Sequence, residues 1–227
     1  ILGPLEPDEV ITHAFITHTH SDHSPLTANL KEQTGAISYG FGPHGAVRDE
    51  DPDDRVDFSA YISNEEQEQY RKEYDELPDE LKREGADTSF SPDVFLKDGD
   101  IVHGGDWTIR AVHTPGHCSN HLCFELEQEQ SMFTGDHVMG WATSVVGPPD
   151  GSMKDYMESL KKLLDFSHLQ YWPTHGPCIT DPKTYVSALV KHREQREDAI
   201  EEALRSGIGK ITDMVAEMYK DVPIHLH

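Results

Sequence analysis

The stretch Thr17-His18-Thr19-His20-Ser21-Asp22-His23 places three imidazoles and one carboxylate within seven residues, directly after the apolar run Ala14-Phe15-Ile16. Such a run predicts a strand, so the polar groups lie on the loop at its end. Imidazole nitrogens and carboxylate oxygens are ligands for zinc, iron and manganese, and a loop allows them to converge on one point. The stretch therefore predicts a metal site, and the alternative is a solvated polar loop.

Three later segments show the same arrangement, a candidate ligand that follows a short apolar run. They are Thr114-Pro115-Gly116-His117, Thr134-Gly135-Asp136-His137 and Pro173-Thr174-His175-Gly176. Because strand ends hold the roots of loops in fixed positions, polar groups on such loops often form one site. The recurrence favours a shared metal site over a set of unrelated surface loops.

The order HxHxDH, TPGH, TGDH and PTHG resembles the metallo-β-lactamase-fold hydrolase superfamily. The resemblance extends over essentially the whole chain, and it is closest to the branch of hydroxyacylglutathione hydrolases, the glyoxalase II-like enzymes, and lactamase-β-like proteins. It implies an α/β fold, the αββα sandwich. It also implies two divalent metal ions, with zinc expected and iron or manganese as alternatives.

The resemblance assigns each matching residue a place in this two-metal site. One ion would be bound by His18, His20 and His117, the second by Asp22, His23 and His175, and Asp136 would bridge both.

The resemblance further implies a metal-dependent hydrolase, in which a hydroxide bound by two metal ions cleaves a small ester, thioester or lactone. Asp22 would be the catalytic residue, because it is both a ligand and the group that orients the attacking water. Three alternatives remain open. They are a phosphodiesterase acting on single-stranded RNA, a mononuclear iron persulfide dioxygenase, and a metal-binding protein without turnover.

The length of 227 residues suits one domain at residues 1–207, followed at 208–227 by the start of a helical C-terminal module. Only about a dozen residues precede the first predicted strand, whereas the resembling family has further strands there. We therefore expect the first strands of the sandwich, and the rest of the C-terminal module, to be missing from this sequence.

The net charge is −23, and residues 49–93 alone contain 17 acidic and 5 basic side chains. This composition predicts an acidic helical insertion, which is either a solvated surface or an arm that docks a partner. A strongly acidic protein repels polyanions, so nucleic acid is an unfavourable partner. A small-molecule substrate is expected instead, and a homodimer is possible.

Residues 141–150 form a segment rich in turn-forming residues directly after Asp136, so we expect a loop near the metals. Trp141, Thr143 and Ser144 are candidate substrate-binding residues, because they offer an apolar ring and two hydroxyls. The alternative is a loop that only covers the core.

No apolar run approaches the roughly 18 residues of a membrane span, so a membrane is not expected as a partner. The three cysteines form no CxxC pair, which favours a reducing compartment and predicts a cytoplasmic protein.

Periodicity and turn residues also predict the regular elements of the chain. Helices are expected at residues 25–32 and 153–164 and from Asp181-Pro182 to Gly207, and strands at 36–39, 101–102, 107–112, 121–126 and 132–133.

Overall fold

The computed structural model describes residues 9–45, 68, 72, 85–148 and 150–218. By its internal contacts the chain divides into two units, residues 1–54 with 84–186 and residues 55–83 with 187–227. All seven candidate metal ligands belong to the first unit. Most of the predicted acidic insertion lies outside the described residues, and the predicted domain boundary at residue 207 stays a prediction.

The first sheet contains three parallel strands in the order β1-β2-β3. Strand β1 is His13–Phe15, β2 is Ile37–Gly40 and β3 is Val94–Phe95, and helix α1, Leu26–Thr34, connects the first two. Helix α1 ends at Gly35, whose φ of +73° lies in the left-handed region that favours glycine. The helix predicted at residues 25–32 and the strand predicted at 36–39 are confirmed, with bounds shifted by one or two residues.

The second sheet contains five strands in the order β4-β5-β6-β7-β8. They are β4 Ile101–His103, β5 Thr108–His113, β6 Leu122–Leu126, β7 Ser131–Gly135 and β8 Gln170–Pro173. Neighbouring strands are antiparallel except β7 and β8, which are parallel. Parallel strands need a long crossover connection, and helix α2, Met153–Leu163, lies in the connection between these two. Strands β5, β7 and β8 therefore run in the same direction.

The two sheets face each other across an apolar core. On the side of the first sheet, the core includes Tyr39 and Leu96. On the side of the second sheet, it includes Ile109, Leu122 and Phe124. Ser152 is the N-cap of helix α2, and its hydroxyl accepts a hydrogen bond from Asp155 N–H. The helix buries Tyr156, Leu160 and Leu163. These layers of helix and sheet confirm the predicted α/β sandwich.

Two helices follow β8. Helix α3 is Pro182–Arg205, with Gly207 in the left-handed region after it, and helix α4 is Ile211–Met218. Both were predicted, although residues 219–227 lie outside the described range. Within the described ranges, none of the helices combines the length and the apolar composition that crossing a bilayer requires.

Candidate metal centre

The directions of the strands explain why distant ligands meet. His117, Asp136 and His175 follow β5, β7 and β8, which run the same way, so all three lie at one edge of the second sheet. The loop from Thr17 to Ser24 comes from β1 of the first sheet and is joined to the second sheet where Leu122 N–H donates to Thr17 O at 2.7 Å. The structure thus brings the candidate ligands of both sheets together.

Three imidazole nitrogens form the first ligand group. His20 Nδ1 lies 3.0 Å from both His18 Nε2 and His117 Nε2. Ligand atoms of a tetrahedral zinc site are separated by about 3.3 Å, given zinc–nitrogen bonds of about 2.0–2.1 Å. The three nitrogens are therefore arranged around one point at a spacing that suits a cation.

A carboxylate and two imidazoles form the second group. Asp22 Oδ2 lies 3.1 Å from His23 Nε2 and 3.1 Å from His175 Nε2. The side chains of Asp22 and His175 are 29% and 32% exposed, whereas that of His23 is nearly buried. This group is therefore open to solvent on one side, where a substrate can approach.

Asp136 lies between the two groups. Its Oδ2 is 3.4 Å from His23 Nε2 and 3.8 Å from His117 Nε2, so one oxygen faces both groups. Its Oδ1 accepts a short hydrogen bond from the Thr174 hydroxyl, which fixes the orientation of the carboxylate. This is the position that the family resemblance implied for a bridging ligand. All seven predicted ligands are thus brought together, and their role in metal binding stays a prediction.

Backbone and hydroxyl groups orient the ligand rings. Val145 O lies 2.6 Å from His117 Nδ1 and can only accept, so Nδ1 carries the proton and the lone pair of Nε2 faces the first group. The Ser144 hydroxyl lies 3.3 Å from the same Nδ1, and Ser144 is buried. The sequence did not indicate the carbonyl contact, because any residue type can supply a backbone carbonyl.

Three further histidines surround the ligands without belonging to either group. His121 is fully buried and accepts a hydrogen bond from Asp136 N–H at Nε2, while its Nδ1–H donates to Thr114 Oγ1 at 2.8 Å. His113 Nε2 donates to Ser119 O, and His137 packs against Tyr156. His121 therefore holds the backbone of the bridging aspartate in place.

Burial keeps the first group neutral, whereas hydrogen bonds keep the bridging aspartate charged. Burial, together with neighbouring imidazoles, lowers the pKa of His18 well below its usual value and that of His20 to about 4. Burial alone would raise the pKa of Asp136, but hydrogen bonds from His23 and Thr174 hold it well below its usual range. Neutral imidazoles and an ionised carboxylate are the protonation states that a divalent cation requires.

We expect these buried histidines to make the metal-free protein less stable in acid. The pKa of the His137 imidazole is about 3 in the folded chain because of burial, against about 6.5 when unfolded. Between these values the unfolded chain binds more protons, so stability is complete above about pH 6.5 and falls as the pH falls. One such group contributes up to about 1.4 kcal/mol per pH unit.

Urea unfolding at pH 7, 6 and 5 in the presence of a chelator measures this effect. A His137→Leu variant should lose less stability than the wild type between pH 7 and 5, because it lacks one buried imidazole. The exposed residue His103 offers a control, since a His103→Leu variant should keep the wild-type dependence. Equal dependence in the wild type and His137→Leu would contradict the expectation.

The candidate substrate-binding residues occupy different surroundings. Trp141 is 71% exposed, and its ring is stacked with that of His175 at a centroid distance of 6.4 Å. Thr143 is half-buried. Ser144 is buried, and its hydroxyl contacts Nδ1 of His117. Of the three, Trp141 presents an apolar surface beside the second ligand group.

Residues 5–175 match the family model described as the metallo-beta-lactamase superfamily. Lactamase-like protein nscB from Neosartorya fischeri is 30% identical over 203 residues, which cover 88% of this chain and 47% of that protein. Atrochrysone carboxyl ACP thioesterase nsrC from Aspergillus novofumigatus is 31% identical over 159 residues, covering 65% of this chain and 47% of that relative. The chain thus spans about half the length of these curated relatives.

A likeness to solved structures supports the same fold. The crystal structure of a metallo-beta-lactamase family protein from Thermus thermophilus superposes with a TM-score of 0.57 at 21% sequence identity. The superposition covers 83% of this chain and 62% of that protein.

Proposed function

The chain belongs to the metallo-beta-lactamase superfamily, and on that premise we propose that it is a metal-dependent hydrolase that cleaves a thioester. One observation carries the hydrolase proposal, the position of Asp136 Oδ2 between two groups of three ligands. The thioester is supported by a relative whose name describes a thioesterase. The strongly acidic composition disfavours a nucleic acid substrate.

The donor set fits two divalent cations, and we propose zinc because imidazole nitrogens predominate. When bound, two such ions would lower the pKa of a water molecule and polarise the carbonyl of the substrate. The first ion would be held by His18, His20 and His117, the second by Asp22, His23 and His175, and Asp136 would contact both.

Asp22 is the residue that we assign to orienting the attacking water. Its carboxylate lies at the exposed rim of the second group, where one oxygen faces His23 and His175 and the other can accept a hydrogen bond. Asp136, which is buried, contributes negative charge that stabilises two neighbouring cations. The chain therefore supplies an orienting carboxylate, and hydrolysis requires no protein nucleophile.

Substrate binding is assigned to the loop after Asp136. The exposed ring of Trp141, stacked beside His175, offers an apolar wall for an acyl group. Thr143 is a second candidate for contact with the substrate. The buried Ser144 we assign to positioning His117, since its hydroxyl reaches the ring nitrogen that also binds Val145 O.

Metal analysis followed by a substrate panel tests the proposal. Protein prepared with excess zinc and then desalted should contain about two zinc ions per chain. It should release thiol from acyl thioesters faster than it opens lactones or cleaves a phosphodiester. Absence of bound metal, or cleavage of the phosphodiester alone, would overturn the proposal.

A further inference from the structure

His44 lies beside the first ligand group but belongs to neither group. It follows β2, and the centroid of its ring is 6.4 Å from that of His20. Its side chain is 22% exposed, so it is partly open to solvent. An imidazole in this place borders the first ligand group, whereas the ring of Trp141 stacks with His175 of the second.

A buried amide fixes the loop that carries His44. Asn120 is 1% exposed, and its Nδ2 donates to Gly42 O at 3.1 Å and to Pro43 O at 3.2 Å. The same nitrogen donates to Thr19 Oγ1 at 2.9 Å, on the loop of the metal ligands. One side chain therefore joins the two loops and sets the distance between His44 and the centre.

One hydrogen bond involves a ring nitrogen of His44. Thr19 Oγ1 accepts from Asn120 and lies 3.4 Å from His44 Nδ1, where its hydroxyl can donate to that nitrogen or accept from it. In the tautomer in which Nδ1 accepts from Thr19, Nε2 carries the proton and can donate to a ligand. Asp150 Oδ2 is 4.0 Å from Nδ1, which is beyond hydrogen-bond distance, and it accepts from Ser119 N–H.

With respect to the described residues, the Nε2 edge of His44 is the edge that can meet a ligand. Both described neighbours of the ring nitrogens, Thr19 and Asp150, lie at Nδ1, and no residue in the described ranges is hydrogen-bonded to Nε2. A held ring with a donor beside a catalytic centre discriminates between substrates that do and do not offer an acceptor.

We propose that His44 contacts the substrate and, by donating from Nε2, selects acyl groups that carry an oxygen close to the thioester carbonyl. This inference rests on the proposed thioester hydrolase function. The substrate class is then an oxygenated acyl thioester, such as a 3-oxoacyl thioester, instead of a plain alkyl one. One hydrogen bond of this kind changes relative affinity by about tenfold.

The test compares the N-acetylcysteamine thioesters of 3-oxobutyrate and butyrate, using the zinc-loaded chain. The ratio of their kcat/KM values should fall about tenfold in His44→Phe, mainly through KM, because phenylalanine keeps the ring and removes the donor. His44→Gln should restore most of the ratio, since its amide can donate from a similar position. His103→Phe, a change at an exposed histidine on β4, should leave the ratio unchanged.

Binding of the two free acids gives a second readout that does not depend on turnover. The ratio of the Kd values for 3-oxobutyrate and butyrate, measured by calorimetry, should shift in His44→Phe as the kinetic ratio does. Wild-type ratios in His44→Phe would overturn the role of His44 while thioester hydrolysis itself stands. If the wild type cleaves neither thioester, the proposed function fails, and the inference about His44 fails with it.

Discussion

Replacing Asp136 by asparagine is expected to lower kcat at least about a thousandfold and to leave fewer than two metal ions per chain. Asparagine has nearly the same shape, and its carbonyl oxygen can still accept from Thr174, so the fold should persist. The change places an amide where Oδ2 faces both ligand groups. A neutral amide cannot offset the charge of two neighbouring cations.

Thioester hydrolysis and elemental analysis of the same preparation measure this effect. The matched control is Asp106→Asn, which removes an exposed carboxylate from the turn between β4 and β5 and should change neither quantity. Asp22→Ala should abolish turnover as well, because it removes the residue assigned to orienting water. Near wild-type activity of Asp136→Asn with two bound ions would show that the bridging assignment is wrong.

Replacing Gly116 by alanine should destabilise the protein by roughly 3 kcal/mol or more. Gly116 has a φ of +139°, and a Cβ there would lie 2.3 Å from Tyr156 Cα and 2.4 Å from its backbone nitrogen. Helix α2 would have to move away from the loop. The adjacent residue is His117, so the first ligand group should lose its geometry at the same time.

Urea unfolding and zinc titration of the variant check both effects. Gly105→Ala is the control, because a Cβ at Gly105 meets nothing within 4 Å. It should change the free energy of unfolding by no more than about 0.5 kcal/mol. Wild-type stability of Gly116→Ala would mean that α2 and this loop are packed less closely than the structure shows.

The sequence predicted a metal site because the residue types are distinctive and follow apolar runs, and the family resemblance implied which seven residues are its ligands. It could not show why they converge, since that depends on β5, β7 and β8 running in one direction. Strand β3, Val94–Phe95, was not predicted, because two residues are too few to show a period. The register shift between Phe133 and Gly135 has no signal in residue type either.

The surroundings of the ligands were less predictable than the ligands themselves. Ser144 was a candidate for substrate contact, with a loop that only covers the core as the alternative. Sequence does not show which way a hydroxyl on a loop points, and the structure places this one 3.3 Å from His117 Nδ1. His44 belongs to no motif, and its place depends on Asn120, which lies 76 positions further along the chain. Contacts of this kind depend on tertiary packing and not on local pattern.

Each ligand group draws on both sheets. The first takes His18 and His20 from the loop after β1 and His117 from the loop after β5, and the second takes His175 from the loop after β8. A cation held by either group would act as a cross-link between the two halves of the sandwich. An ion that binds only the folded chain stabilises it by mass action. Depletion of metal would therefore lower the free energy of unfolding as well as abolish hydrolysis.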